Sequence, residues 1–289
     1  MEKIKLTIII PTYNRADILI RTLKAIDEQD YNLNEVEVLV VDDHSDNNPE
    51  YLISNLKTKY CLRFFRMEKN VGAGMVRNRA IDLAQGKYLL FIGDDTIPDK
   101  SLIKEHIKLH DRNQNIAVLG YVRWAEEIRD EFMDYIAKIQ FHYQNIKDKN
   151  DVKFHFYTSN ISLEKKWFQT EKFNSKFKGY GLEDIEIGYR LENKGLRVIY
   201  NPNAMVSHIH HYNFNQFCER MEKVGESAVI FVNLHPELRR RYIPIFLNIF
   251  LIASFLLSMN ALLGRKLYWR FNFIFNYFKG IKTEQYVEK

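Results

Sequence analysis

The chain is poor in cysteine. Cys61 and Cys218 are its only two, which excludes a disulfide framework, and neither stands at a metal-binding spacing. A glycine-rich, basic phosphate loop is also missing after the first strand-like run. Pro11-Thr12-Tyr13-Asn14-Arg15 stands there instead, which argues against a nucleotidyltransferase. Gly72-Ala73-Gly74 comes nearest to a dinucleotide fingerprint. It follows Arg66–Asn70 and no strand, and Arg77 occupies the third glycine's place; Rossmann-type dinucleotide binding is excluded on that ground. Low-complexity tracts and internal repeats are absent. No long apolar segment precedes the run that begins after Lys5, so a cytoplasmic catalytic face is expected.

What is present is a core-forming composition, with 46% hydrophobic residues in 289. The net charge of +5 is unevenly placed. From Pro236 onward nine Lys/Arg face three Asp/Glu, a net of +6, leaving −1 for residues 1–235. Basicity therefore belongs to the tail and does not imply a nucleic-acid surface on the main part. Basic residues beside an apolar stretch point to anionic lipid. That stretch is Tyr242–Leu263, 22 residues without a charge, preceded by Arg239-Arg240-Arg241 and followed by Arg265-Lys266 and an aromatic cluster from Tyr268 to Phe278. Its length suits a bilayer, but Asn248, Ser254, Ser258 and Asn260 make it a poor span. An in-plane or re-entrant membrane helix is expected, with a core helix as the alternative. The expected division is a catalytic domain over 1–235 and a basic, hydrophobic helical tail over 236–289.

Buried strands are predicted at Leu6–Ile10, Val36–Val41, Leu62–Phe65, Tyr88–Ile92, Ile116–Tyr121 and Leu196–Tyr200, from apolar runs closed by turn residues. Phe154–Asn160 is read as one more. Helical spacing marks Asn14–Glu28, Gly72–Ala84, Trp124–Gln144 and Glu183–Asn193. This alternation predicts an α/β fold with a mostly parallel central sheet flanked by helices.

The chemistry gathers where strands end. Phe91-Ile92-Gly93-Asp94-Asp95 closes a buried strand with two carboxylates. At the carboxyl edge of an open α/β sheet they stand where ligands bind, and such a pair suits a hard divalent cation that also grips a phosphate. Capping the next helix is the alternative, but Asp99 is available for that. Asp42-Asp43 ends another strand and is read either as a turn or as an acceptor for a nucleobase amide. Arg77, on the helix after Gly72, is placed to meet a phosphate. Glu183-Asp184 follows Gly179-Tyr180-Gly181 and opens a helix. These carboxylates either favour the first turn electrostatically or supply a general base. His208, within a group that includes His210 and His211, is a candidate metal ligand.

Ile8–Arg15, Val40–Ser45, Gly72 with Arg77-Asn78, Gly86–Asp95, and Gly179-Tyr180-Gly181-x-Glu183-Asp184 with Arg190-Leu191 occur in this order. Over residues 4–212 they resemble glycosyltransferase family 2, of GT-A fold, with an acceptor motif like that of galactosyltransferases and chondroitin polymerases. The resemblance implies inverting transfer from a UDP-sugar to a saccharide or lipid-linked acceptor, dependent on Mn²⁺ or Mg²⁺, in surface polysaccharide synthesis at the inner membrane face. It implies that Pro11, Thr12, Tyr13 and Arg15 line the nucleotide pocket, with Asp43 or Asp42 on uracil. Arg77 would approach the diphosphate, Asp94 the ribose or sugar, and Asp95 and His208 the metal. Asp184 would be the base and Glu183 would orient the acceptor. The family often has a carboxylate where Gly93 stands; its loss gives the one alternative reading, a silent sugar-nucleotide-binding scaffold. Donor sugar, acceptor and oligomeric state are not legible.

Overall fold

The computed structural model describes residues 3–146, 148–259 and 264–287. They form two compact units, residues 1–174 with 187–210 and residues 175–186 with 211–289. The second unit thus takes in more chain than the tail expected from residue 236.

The first unit is built on one eight-stranded sheet. In chain order its elements are β1 (Leu6–Thr12), α1 (Ala16–Ile26), β2 (Val36–Asp42), α2 (Glu50–Ser54), β3 (Cys61–Arg66), α3 (Ala73–Leu83), β4 (Tyr88–Ile92), β5 (Thr96–Pro98) and α4 (Leu102–His110). Next come β6 (Ile116–Trp124), α5 (Glu131–Gln140), β7 (Asn160–Glu164), α6 (Glu183–Asn193), whose first turn is counted with the second unit, and β8 (Arg197–His208). The strand order is β3-β2-β1-β4-β7-β6-β8-β5. Only β7 and β5 run against the rest, so the sheet is mostly parallel, as expected. Alternate residues of the central strands feed opposite faces. Ile8, Ile10, Val38, Val40, Leu90 and Ile92 pack with α1 and α4 residues such as Leu23 and Ile103. Ile9, Leu39, Val41, Leu89 and Phe91 pack with α3 and α6 residues such as Val76 and Leu191. Burial on both faces explains why these strands read as unbroken apolar runs.

Three local expectations are corrected. Trp124–Gln144 is not one helix: Trp124 closes β6 opposite His208, and α5 starts only after Asp130, whose carboxylate accepts from Met133 N–H at 2.7 Å. Phe154–Asn160 is not a strand, because Phe154 takes a positive φ of 58°, and the strand begins at Asn160. Asp99 is not the cap of α4. Ser101 holds that position, Gln29 Oε1 accepts from Ile103 N–H, and Asp99 pairs instead with Arg123 at 3.7 Å. Asp94 and Asp95 take no part in that cap.

Beneath the sheet lies a buried polar cluster. Ser162 Oγ is 2.8 Å from His106 Nδ1 and 2.8 Å from His110 Nε2, and His106 Nε2 is 2.9 Å from Asn160 Oδ1. Burial pushes His106 down to about 4 and His110 to about 3, from an ordinary 6.5. Both stay neutral in the folded chain while the unfolded chain takes up protons below 6.5. Their contribution is complete above pH 6.5 and is lost as pH falls toward 4. The expected loss is on the order of 2 kcal/mol per histidine between pH 6.5 and 4.5. Denaturant unfolding at a series of pH values checks this: His106→Gln should flatten the slope in that window, and an unaltered slope would refute the assignment.

The second unit is helical. It holds α7 (Phe214–Leu234), α8 (Arg239–Tyr242), α9 (Leu247–Ser258) and α10 (Arg265–Val287). Asn213 and Gln216 form a capping box at the start of α7. α7 and α10 pack backbone to backbone: a Cβ at Gly225 would lie 2.1 Å from Tyr277 O, and one at Gly280 1.9 Å from Glu222 O. Val229, Val232, Ile243 and Ile281 form the core. The apolar segment expected over Tyr242–Leu263 is a helix only from Leu247 to Ser258, with extended backbone at Ile243; Asn260–Leu263 lie outside the described residues.

Candidate active site

The chain leaves β1 for β2 and β3 on one side and returns to β4 on the other, so the β1–β4 boundary is a topological switch point, where open α/β sheets bind ligands. Thr12 ends β1 and donates from Oγ1 to Asp94 Oδ2 at 2.8 Å across that crevice. Thr22, on α1, donates to the carbonyl of Asp94 at 2.7 Å. The loops after β1 and β2 are tied together. Asn14, at a φ of 54°, donates from its backbone N–H to Ser45 Oγ at 2.8 Å and exchanges side-chain and backbone bonds with Asp46.

The two carboxylates after β2 have different fates. Asp42 is fully buried, accepts from Ser45 N–H and Oγ–H, and pairs with Arg66 at 3.3 Å. It is a turn residue, closed to a nucleobase, so of the two expected uracil partners only Asp43 stays eligible. Asp43 accepts from the N–H groups of Val71 and Gly72 at 2.8 and 2.9 Å, ahead of α3. Burial raises its carboxyl while those two donors act against the rise. Tyr13, directly after Thr12 at the end of β1, is 45% exposed. Pro11 pairs with Val41 within the sheet. Arg77 is largely buried on α3, its guanidinium 5.7 Å from the Phe173 ring centroid.

Asp94, Asp95, Arg15 and His208 form one cluster. Arg15 Nη1 lies 3.1 Å from Asp94 Oδ1 and 2.7 Å from Asp95 Oδ2. His208 Nε2 lies 3.4 Å from Asp95 Oδ1. The pairing of β5 with β8 sets Thr96 opposite His208, and Ile209 N–H bonds the Asp95 carbonyl at 2.9 Å. Strand register therefore delivers a histidine from more than a hundred residues away. Burial, then the charge of Asp95, raises Asp94; burial alone would raise Asp95 too, but His208, Arg15 and His210 hold it below its ordinary value. A side chain at Gly93 would put Cβ 2.7 Å from Asp95 Oδ1. Glycine there makes room for the carboxylate that faces His208.

No cluster of three or more metal-ligating side chains occurs among the described residues. Asp95 and His208, a carboxylate and an imidazole 3.4 Å apart and both nearly buried, are a donor set of the type a divalent ion takes.

The acidic pair of the second unit sits on a strained turn. Gly181 has a φ of 101° and Leu182 one of 64°, a conformation that costs a leucine free energy and tends to mark functional segments. The turn rests on α7: a Cβ at Gly181 would lie 2.9 Å from Val224 Cγ2, and Ser227 Oγ donates to the Tyr180 carbonyl at 3.2 Å. Glu183 and Asp184 then open α6, half-buried. Two further residues hold the surroundings together, Asn78 from the Arg77-Asn78 motif and Arg220, which carries no sequence signal. Asn78 exchanges two 2.9 Å bonds with the backbone of Phe173, and Arg220 stacks on Tyr180.

The α/β sheet with paired carboxylates at its switch point has the layout of the GT-A architecture that the sequence resembles. The model of "Glycosyl transferase family 2" matches residues 7–171. The chain belongs to that family. It is 25% identical over 241 residues to an uncharacterized glycosyltransferase, YfnE, of Bacillus subtilis, covering 66% of this chain and 61% of that one. It is 25% identical over 237 residues to the chondroitin synthase of Escherichia coli, covering 70% of this chain and 34% of that one. The chain thus spans about a third to three-fifths of the length of these relatives. Among solved structures, S. aureus TarS 1–349 in complex with UDP-GlcNAc superposes with a TM-score of 0.59 at 17% identity, over 98% of this chain and 92% of that one. The mannosyltransferase of Pyrobaculum calidifontis in complex with GDP-Man and Mn²⁺ gives 0.63 at 14% identity, over 100% and 89%.

Proposed function

We propose that the chain transfers a sugar from a UDP-sugar to a hydroxyl of a saccharide or lipid-linked saccharide, with inversion, in surface polysaccharide synthesis. The observation that carries this is the Asp94–Asp95–Arg15–His208 cluster at the switch point. The kinship with chondroitin synthase and the likeness to TarS with UDP-GlcNAc support the reaction class. Tyr13 offers a ring to the base and Asp43 a carboxylate to its amide. Asp95 and His208 would hold Mn²⁺ or Mg²⁺, which when bound offsets the charge of the departing diphosphate. Arg15 neutralises the carboxylate pair, and Asp94 fixes Thr12 and with it the end of β1. Asp184 takes the proton of the acceptor hydroxyl while that oxygen forms a bond to the anomeric carbon. The carbon–oxygen bond to the diphosphate breaks on the opposite face, and UDP leaves with the electron pair. Glu183 orients the acceptor. A screen of UDP-glucose, UDP-galactose and their N-acetyl and uronic forms for metal-stimulated UDP release tests the reading; no release from any of them overturns it.

The tail supports a membrane-surface setting. Within Pro236–Ser258 an 18-residue window is long and apolar enough to cross a bilayer by length and composition, and 22% of that window is buried. Ile245, Ile249, Ile252 and Leu256 are 60–75% exposed, beside Arg239-Arg240-Arg241 and Arg265-Lys266. The continuous helix α9 has 12 residues, about 18 Å, against a hydrocarbon core of about 30 Å. It is proposed to lie in the interface of an anionic leaflet. Ile252→Asp with Leu256→Asp should weaken binding to phosphatidylglycerol vesicles about a hundredfold in a sedimentation assay. Unchanged sedimentation would remove the membrane proposal.

A further inference from the structure

Arg220, on α7, is held between two tyrosines of the second unit. Its guanidinium carbon lies 4.0 Å from the Tyr180 ring centroid and 5.0 Å from that of Tyr212, and Nη1 donates to the Tyr212 hydroxyl. Within this unit and among the described residues, no carboxylate lies within ion-pair distance of it. A stacked guanidinium is a planar fork of five donors, of which one is used on Tyr212, and Arg220 is only half-buried. Tyr180 stands immediately before Gly181-Leu182-Glu183-Asp184. Val224 and Ser227, one and two turns along α7 from Arg220, support the same turn. One face of α7 thus carries both the strained acidic turn and the stacked cation.

We infer that Arg220 is a specificity-determining residue that grips an anionic group on the acceptor, a phosphodiester or a uronate carboxylate. The inference rests on the reading of Glu183-Asp184 as the acceptor side. A planar guanidinium matches the two oxygens of either group with parallel hydrogen bonds, which a neutral sugar does not offer. The tyrosine stack pre-orders the side chain, so little rotamer freedom is lost when the anion docks. Acidic side chains at 183 and 184 would repel such an acceptor, and a cation on the same face of α7 offsets that repulsion.

The test titrates the full chain with dimethyl phosphate as the phosphodiester, methyl β-glucuronide and, as the neutral control, methyl β-glucoside, by calorimetry or NMR. The wild type should prefer one anionic probe over the neutral one, and the probe preferred tells phosphate from carboxylate. Arg220→Gln should erase that preference, a loss of about ten- to a hundredfold. Arg220→Lys, which keeps the charge without the fork, should retain part of it and guards against a folding defect in the first variant. In transfer assays the ratio of kcat/KM for anionic over neutral acceptors should fall by the same factor in Arg220→Gln. A wild type without preference, or an Arg220→Gln variant that keeps it, overturns the inference. UDP release by the wild type is scored separately: its absence refutes glycosyl transfer, while the binding titration still decides Arg220.

Discussion

Asp184→Asn is expected to lower sugar transfer by about three orders of magnitude, within the ~10²–10⁴ that a positioned general base supplies, while UDP binding changes less than about twofold. The substitution keeps the shape of the side chain and removes the basic oxygen. Asp184 opens α6 from a turn in which Gly181 and Leu182 both hold positive φ, so the site is built by backbone geometry that the amide leaves intact. Glu183→Gln serves as the comparison, because an orienting group should raise KM for the acceptor more than it lowers kcat. Calorimetry with UDP and single-turnover transfer make the separation. Near-normal turnover in Asp184→Asn would refute the base assignment, and loss of UDP binding would show that the turn had collapsed.

Removing either half of the Asp95–His208 pair should be nearly as costly. Asp95→Asn and His208→Ala are each expected to reduce metal-stimulated UDP release by about two orders of magnitude, since stabilising the leaving diphosphate is worth several kcal/mol. The two differ in how they respond to added metal. His208→Ala leaves a charged oxygen ligand and should recover partly at high Mn²⁺; Asp95→Asn loses the charge and should not. Chelation with EDTA should bring the wild type down to the level of the variants. If EDTA and both substitutions left UDP release intact, Arg15 would be the group that neutralises the diphosphate.

Much of this architecture was legible because buried strands are unmistakable. Leu6–Ile10, Val36–Val41 and Tyr88–Ile92 are apolar on both faces, and each ends in the residues that build the crevice. Asp42-Asp43 and Asp94-Asp95 stand at strand ends, as chain order predicts, whereas Glu183-Asp184 opens a helix. What escaped was whatever depended on contacts distant in sequence. Trp124 looks helical in its charged surroundings, yet it closes a strand because β8 offers a partner for it. Gln29, not Asp99, caps α4 because the α1 end is folded against it. Asp42 and Asp43 look equivalent in sequence, and only the positions of Arg66 and of the α3 amides separate them. Residue type marks His208 as a candidate ligand, whereas its approach to Asp95 depends on β5–β8 register, which chain order does not reveal.

Gly93 changes meaning once its surroundings are known. A search for a three-carboxylate signature would score this chain as damaged at that position. The geometry says that volume, not charge, is what position 93 contributes. Gly93→Asp should shift the Asp95 carboxylate relative to His208 and, if that pair holds the metal as proposed, weaken Mn²⁺ binding measured by calorimetry. In this chain the space that a first acid would fill is already given to the carboxylate that faces a histidine from a distant strand.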